Sequence, residues 1–418
     1  MLGLWVDAVG ESLGALVELD VTNIAHGGVS VARHDGRVIF VADAIPGERV
    51  LARISEDSKK SFWRAETVAV ITASGNRVEH VWSAAALDRD PRDRPGGAEF
   101  GHIALAHQRT LKAHVLADAL GRFAKVSRET TVEPAPGDIE RGGLGWRTRV
   151  RLQVSESGQP GPFAARSHRV IPVTDLPLAV PALATIAPLG ENFAGMQHVD
   201  LVAPSLGAPR LMVGSQHQST IREVVGSREF QLADAGFWQV HCAGPEVLTA
   251  AVQGAIDADR FDPAAANLDL YGGVGLLAAA MGDRFGAETV MTTVESDPVA
   301  TGFALSNLAD WPEATAVTGR VDAWLRATAR QATSEDREGL ARATVILDPP
   351  RSGAGREVVQ HLADFAPAQI VYVACDPVAF ARDVGYFAER GYRLADLRAF
   401  DLFPHTHHLE AVGTLTRV

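Results

Sequence analysis

The chain has 418 residues, of which 46% are apolar and 22% charged, and it carries a net charge of −12 at pH 7. This predicts two or three globular domains with substantial cores, and excludes a protein that holds nucleic acid by being basic throughout. Two cysteines, Cys242 and Cys375, exclude a disulfide framework, a four-thiolate zinc site and a cysteine-ligated iron–sulfur cluster.

At the start, Asp7, Glu11 and Glu18 precede any Lys or Arg, which argues against a basic leader. No apolar run reaches the length of a bilayer span, so a cytoplasmic enzyme without membrane contact is expected. Residues 16–21, 29–33, 37–41, 49–54 and 63–71 read as short strands, with Gly27-Gly28 and Asp35-Gly36 supplying turns. Five strands in about 60 residues predict a small OB-like barrel. The polar, Pro- and Gly-punctuated stretch 77–98 reads as a loop, and 103–123 as a helix.

A second β-rich region spans 146–229. Arg141, Arg147, Arg149, Arg151, Arg166 and Arg169 stand at its start against one acid, Glu156. This is the strongest footprint for a phosphate backbone in the chain, with a solvated strand face as the alternative. After Phe237 strands alternate with helices, at 267–271, 289–295, 315–318, 343–348 and 369–375, followed by 392–402 and 408–417 as a candidate antiparallel pair. Such alternation predicts a doubly wound α/β sheet. The expected domains are thus 1–74, 75–235 and 236–418.

Chemistry is concentrated at the carboxyl ends of those strands, where open α/β sheets bind ligands. Gly272-Gly273-Val274-Gly275 lets backbone approach a ligand at a helix N-terminus, and Glu295 closes the next strand where an acid commonly binds ribose hydroxyls. Asp348-Pro349-Pro350-Arg351, Ala374-Cys375-Asp376-Pro377 and Phe403-Pro404-His405-Thr406-His407-His408-Leu409-Glu410 follow or open buried strands. A lone Cys there is a candidate nucleophile and a carboxylate on a neighbouring loop a candidate base. Pro377 fits a helix that starts just after the thiol, and that helix or a nearby cation is expected to lower the thiol pKa. His407 and His408 are expected on opposite faces of a strand, without a metal. Cys242 is expected to pack near Gln239.

These segments resemble the RNA uracil-carbon-5 methyltransferases, which make 5-methyluridine in ribosomal and transfer RNA. The likeness runs along nearly the whole chain. It includes Ile24-Ala25-His26-Gly27-Gly28, Trp146-Arg147-Thr148-Arg149-Val150-Arg151, Phe237-Trp238-Gln239-Val240 and the catalytic segments above. The resemblance implies an N-terminal TRAM barrel, a central β-rich RNA-contacting domain and a Rossmann-like class I methyltransferase domain using S-adenosyl-L-methionine. It implies Gln239, Tyr271, Glu295 and Asp348 as cofactor residues, Asp322 as a further one, Cys375 as nucleophile and Glu410 as base. Structured RNA would be the partner, with no obligate protein partner. The family's cluster-ligating cysteines are missing here, where Gly96-Gly97-Ala98 stands, so no iron–sulfur cluster is expected. A methyltransferase acting on another acceptor, or an RNA-binding protein with a vestigial site, are the alternatives.

Overall fold

The structure, a computed structural model, describes residues 12–214 and 219–418. Asp7 and Glu11 of the leader argument lie outside them. The first five strands, Leu16–Ala25 (β1), Val29–His34 (β2), Arg37–Ala42 (β3), Arg49–Glu56 (β4) and Phe62–Thr72 (β5), close into a barrel in the order β1-β2-β3-β5-β4. The alternation predicted from sequence is its cause: Leu19, Val21, Ile39, Val41, Val50, Ala52 and Ile54 point inward and are almost fully buried.

The stretch after the barrel has no long element, yet it is firmly held. Arg94, only 4% exposed, donates to Asp43 Oδ2 at 2.6 Å and to the carbonyls of Thr67, Leu87 and Arg89. Ala98 is buried in an apolar cluster with Trp82, Ala85, Trp146 and Ala164. The segment around Gly96-Gly97-Ala98 is therefore held by side-chain packing and one guanidinium.

A helix, Leu105–Ala119 (α1), and a short strand, Val132–Pro134 (β6), follow. The central sheet runs β10-β9-β7-β8, from Arg149–Val154 (β7), Pro160–Gly161 (β8), His198–Val202 (β9) and Arg210–Val213 (β10), with helix Pro181–Ile186 (α2) between β8 and β9. A hairpin, Thr220–Val225 (β11) and Arg228–Ala233 (β12), leads into helix Gly244–Ala255 (α3).

The last part is built on Asn267–Leu270 (β13), Met291–Glu295 (β14), Ala314–Thr318 (β15), Thr344–Leu347 (β16), Gln369–Ala374 (β17), Tyr392–Asp401 (β18) and Glu410–Arg417 (β19). Between them lie Leu276–Phe285 (α4), Pro298–Asn307 (α5), Val321–Gln331 (α6), Ser334–Arg342 (α7), Gly355–Phe365 (α8) and Pro377–Ala388 (α9). The strand order is β15-β14-β13-β16-β17-β19-β18-β6. The first five are parallel, while β19 is antiparallel to both β17 and β18. Strand β6 joins the far edge beside β18, so the sheet recruits residues well before 236.

Alternate residues feed two cores. Leu268, Leu270, Val345, Leu347 and Tyr372 face one, and Ile346, Val371 and Val373 the other. The chain runs outward from β13 through β14 to β15, then resumes on the opposite side at β16. That reversal opens a crevice beyond the carboxyl ends of β13 and β16. Among the described residues, no helix is long and apolar enough to cross a membrane.

Candidate active site

The crevice is a cavity of 1150 Å³. Gln239, Tyr271, Glu295, Asp322, Asp348, Cys375 and Glu410, all singled out from sequence, line it together.

At β13 the chain turns sharply. Tyr271 takes φ +64°, and Gly273 and Gly275 take +55° and +89°, values that favour glycine at the latter two. Gly272 is demanded by space, because a Cβ would run into Thr293 Oγ1 and Asp269 Oδ2. Glu295 accepts from Gly273 N–H at 3.2 Å with one oxygen and from Asp297 N–H at 2.8 Å with the other. Asp322, at the start of α6, is paired with Arg320 at 3.0 Å. Burial, then the Asp322 and Asp383 charges, push the Tyr271 phenol to about 12.

The two catalytic candidates meet through sheet register. Ala374 on β17 pairs with Ala411 on β19. Cys375 follows that last pair on one strand and Glu410 precedes it on the other, so both come to the same end of the sheet and line the cavity, where the Glu410 charge acts on the thiol. Asp348, just beyond β16, donates its N–H to Leu270 O at 3.2 Å, and its charge acts on both Cys375 and Glu410.

Electrostatically the site is burdened with acids. Burial raises Asp269 to about 7, although Thr293 and the Ala278 N–H at the α4 N-terminus oppose it. Burial, then Asp269, raises Asp348 to about 7. Glu410, 3% exposed, is pushed well above the carboxylate range by burial and by Asp348. Arg351 is the cation that offsets this at both Glu410 and Cys375.

The thiol corrects an expectation. Burial, then Glu410 and Asp348, push Cys375 up to about 12 in the free protein. A helix does begin at Pro377, but its first N–H groups are already taken. Asp376 Oδ1 accepts from Val378 at 3.0 Å and Ala379 at 2.8 Å, leaving the thiol without that help.

Other expectations change too. The segment 402–409 is a turn, so His407 and His408 bring their rings to 4.0 Å of each other instead of pointing apart. Cys242 is exposed, while its neighbour His241 is buried against Asp138 at 3.0 Å. Most of the arginine footprint is engaged by the chain's own acids and carbonyls, although the Arg151 and Arg169 side chains stay 57% and 52% exposed. Arg141 pairs with Asp138, Arg151 with Asp200 and Arg169 with Asp93, and Arg149 donates to the Asp234 and Gly236 carbonyls. Arg147 lines the 1150 Å³ cavity and Arg166 a second, adjoining one of 520 Å³.

Sequence reasoning assigned no role to Asp269 or Arg351 and placed Arg147 only in the arginine footprint. Arg351 stood inside a quoted motif, and Asp269 opens the Asp269-Leu270-Tyr271-Gly272-Gly273-Val274-Gly275 segment of the resemblance. In the Phe237-Trp238 segment, Trp238 is core, packed on Phe230 at 5.6 Å, whereas Phe237 lines the cavity at 74% exposure.

The model of the tRNA (uracil-5-)-methyltransferase family matches residues 326–418. An uncharacterized RNA methyltransferase of Streptomyces avermitilis is 35% identical, over 96% of this chain and 98% of its own length. One from Streptomyces coelicolor is 34% identical, over 96% and 93%. The solved tRNA (uracil-54, C5)-methyltransferase of Pyrococcus abyssi, in complex with S-adenosyl-L-homocysteine, superposes with a TM-score of 0.68 at 20% identity. That match covers 95% of this chain and 99% of the other, and shows a shared fold.

Proposed function

This chain belongs to the RNA uracil-C5 methyltransferase family, and from that premise we propose that it methylates carbon 5 of a uridine in ribosomal or transfer RNA through a covalent bond from Cys375. The observation that carries the reading is the register of β17 and β19, which brings the ends bearing thiol and carboxylate together in the cavity that holds Glu295 and Asp348.

The residues present fit S-adenosyl-L-methionine. Glu295 offers a carboxylate to ribose hydroxyls at the end of β14, Val274 and Pro349 offer apolar walls, and Gln239, Tyr271 and Asp322 complete the binding set. Asp269 repels Asp348, which in turn repels Glu410, so a cationic ligand in the cavity beside Asp348 and Glu410 relieves this crowding. The cofactor supplies an electrophilic methyl on a sulfonium.

Carbon 5 of uracil is a poor nucleophile. The Cys375 thiolate adds to carbon 6, placing electron density on carbon 5, which then takes the methyl. Glu410 in its carboxylate form removes the carbon 5 proton, the ring double bond re-forms and the thiolate leaves. In the free enzyme the Cys375 thiol, pushed up to about 12, is protonated at neutral pH, and the Glu410 carboxyl is held well above its ordinary range. Positive charge from the ligand and from Arg351 favours their ionised forms. The base must be unstacked to reach a thiol at a strand end, and Arg147, Arg351 and Phe237 stand at the cavity to receive it.

The test is methyl transfer from labelled S-adenosyl-L-methionine to ribosomal and, separately, transfer RNA, with nucleoside analysis. Labelled 5-methyluridine in one pool is expected and identifies the substrate. Cys375→Ala should lose at least about a thousandfold in rate while retaining cofactor binding. Glu410→Gln should accumulate a protein–RNA adduct stable to denaturing gels. An active Cys375→Ala protein defeats the mechanism.

A further inference from the structure

The barrel is anchored to the rest of the chain by contacts that do not involve the Cys375 turn. Ile24 and Ile45 pack with Phe100, Ile103 and Leu111, and Arg77 grips Glu48 with bonds of 2.6 and 2.8 Å. From this fixed body the β1–β2 turn projects onto the catalytic loops. Gly27 and Gly28 adopt φ of +86° and +74°, and a Cβ on Gly28 would come within 2.7 Å of His407 Cβ. The same turn carries His26, whose ring stands edge-on to His407 at 6.5 Å and whose Nε2 lies 3.2 Å from Oδ2 of Asp376.

Asp376 is the residue after Cys375. Its Oδ1 caps α9 and its Oδ2 meets His26, so one carboxylate is held by the catalytic helix on one side and by the barrel on the other. Resting on the reading above, we propose that His26 is a positioning residue: through Asp376, the barrel braces the turn that presents the nucleophile. The hydrogen bond to Asp376 raises the imidazole above its ordinary pKa despite burial. Burial works against the Asp376 carboxylate, yet His26 and the Ala379 and Val378 N–H groups bring it below its ordinary value. Both shifts favour the charged pair, the stronger form of this hydrogen bond.

The consequence is a role for the barrel in the rate of the chemical step as well as in RNA affinity. A nucleophile displaced by a fraction of an ångström loses rate at saturation without weakening RNA binding. Two readouts test this in the full chain. Hydrogen exchange of the segment 374–381 in the free protein needs neither RNA nor cofactor. Single-turnover methyl transfer at saturating RNA reads the rate, and titration of the RNA reads affinity.

His26→Ala is expected to speed exchange in 374–381 and slow the saturating rate, each by about tenfold, with RNA affinity within about twofold. His26→Gln, which can still donate to Asp376, should recover both to within about threefold. Unchanged exchange in His26→Ala, a loss confined to RNA affinity, or no recovery by His26→Gln overturns the proposal. Should His26→Ala loosen the barrel strands themselves, Asp376→Asn decides instead. It leaves the barrel intact and should move exchange and rate in the same directions, and no change in either overturns the proposal. A wild-type protein that methylates neither RNA pool defeats the functional reading, while the exchange measurement still decides the brace.

Discussion

At single side chains, type and environment pull in different directions, and Cys375 shows it best. Its place beyond an apolar run marks it as a candidate nucleophile, but burial and two neighbouring carboxylates hold the thiol at about 12. In a Cys242→Ser background, alkylation by iodoacetamide should therefore climb roughly tenfold per unit between about pH 7 and 9, because the thiolate fraction grows at that rate below the pKa. A plateau below about pH 8.5 would show an already activated thiol and refute the assignment of burden to Glu410 and Asp348. The arginines make the same point about charge. Six stand together in sequence, yet Asp200 and Asp93, the partners of Arg151 and Arg169, are supplied by segments that counting neighbours along the chain does not connect to them; only Asp138, three residues before Arg141, is local.

In strands and their turns, the apolar pattern was legible because it is local. Strand β13 is buried throughout, as its apolar setting predicts, and the Gly turn that follows it is where the sequence placed it. Asp269, in the middle of that strand, was not legible as a site residue, since its neighbours Ala278 and Thr293 come from α4 and β14. Its consequence is measurable. The folded pKa of about 7 lies above the unfolded value of 3.8, so the folded state retains a proton that the unfolded state gives up. This contribution favours the fold below about pH 4, weakens as pH rises to about 7 and is level above that. Asp269→Asn removes the titration while keeping an acceptor for Ala278 N–H. Its stability relative to wild type should rise by on the order of 2 kcal/mol from about pH 5 to about pH 8 in urea unfolding. A difference that does not vary with pH would contradict the assignment.

Across the full chain, distant segments are joined at a few buried points. Lys112 on α1 meets Asp401 at the end of β18 at 2.5 Å, both almost wholly buried, and also donates to Phe403 O at 3.0 Å. It thereby ties the helix after the barrel to the loop leading to Glu410. Lys112→Ala leaves the Asp401 charge buried alone and should cost about 3–5 kcal/mol in urea unfolding, whereas a loss under about 1 kcal/mol would show the pair to be dispensable. Nothing along the sequence pairs residues 112 and 401, nor His26 with Asp376. The order of residues was sufficient to establish the barrel, the alternating strands and helices, and which side chains stand beyond each strand end, because periodicity and turn chemistry act over a few residues. Folding in three dimensions settled which of those side chains share a cavity, how far their charges oppose one another, and which arginines remain free. Burial and Coulomb interaction depend on distances through space, and here those distances are set between segments hundreds of residues apart.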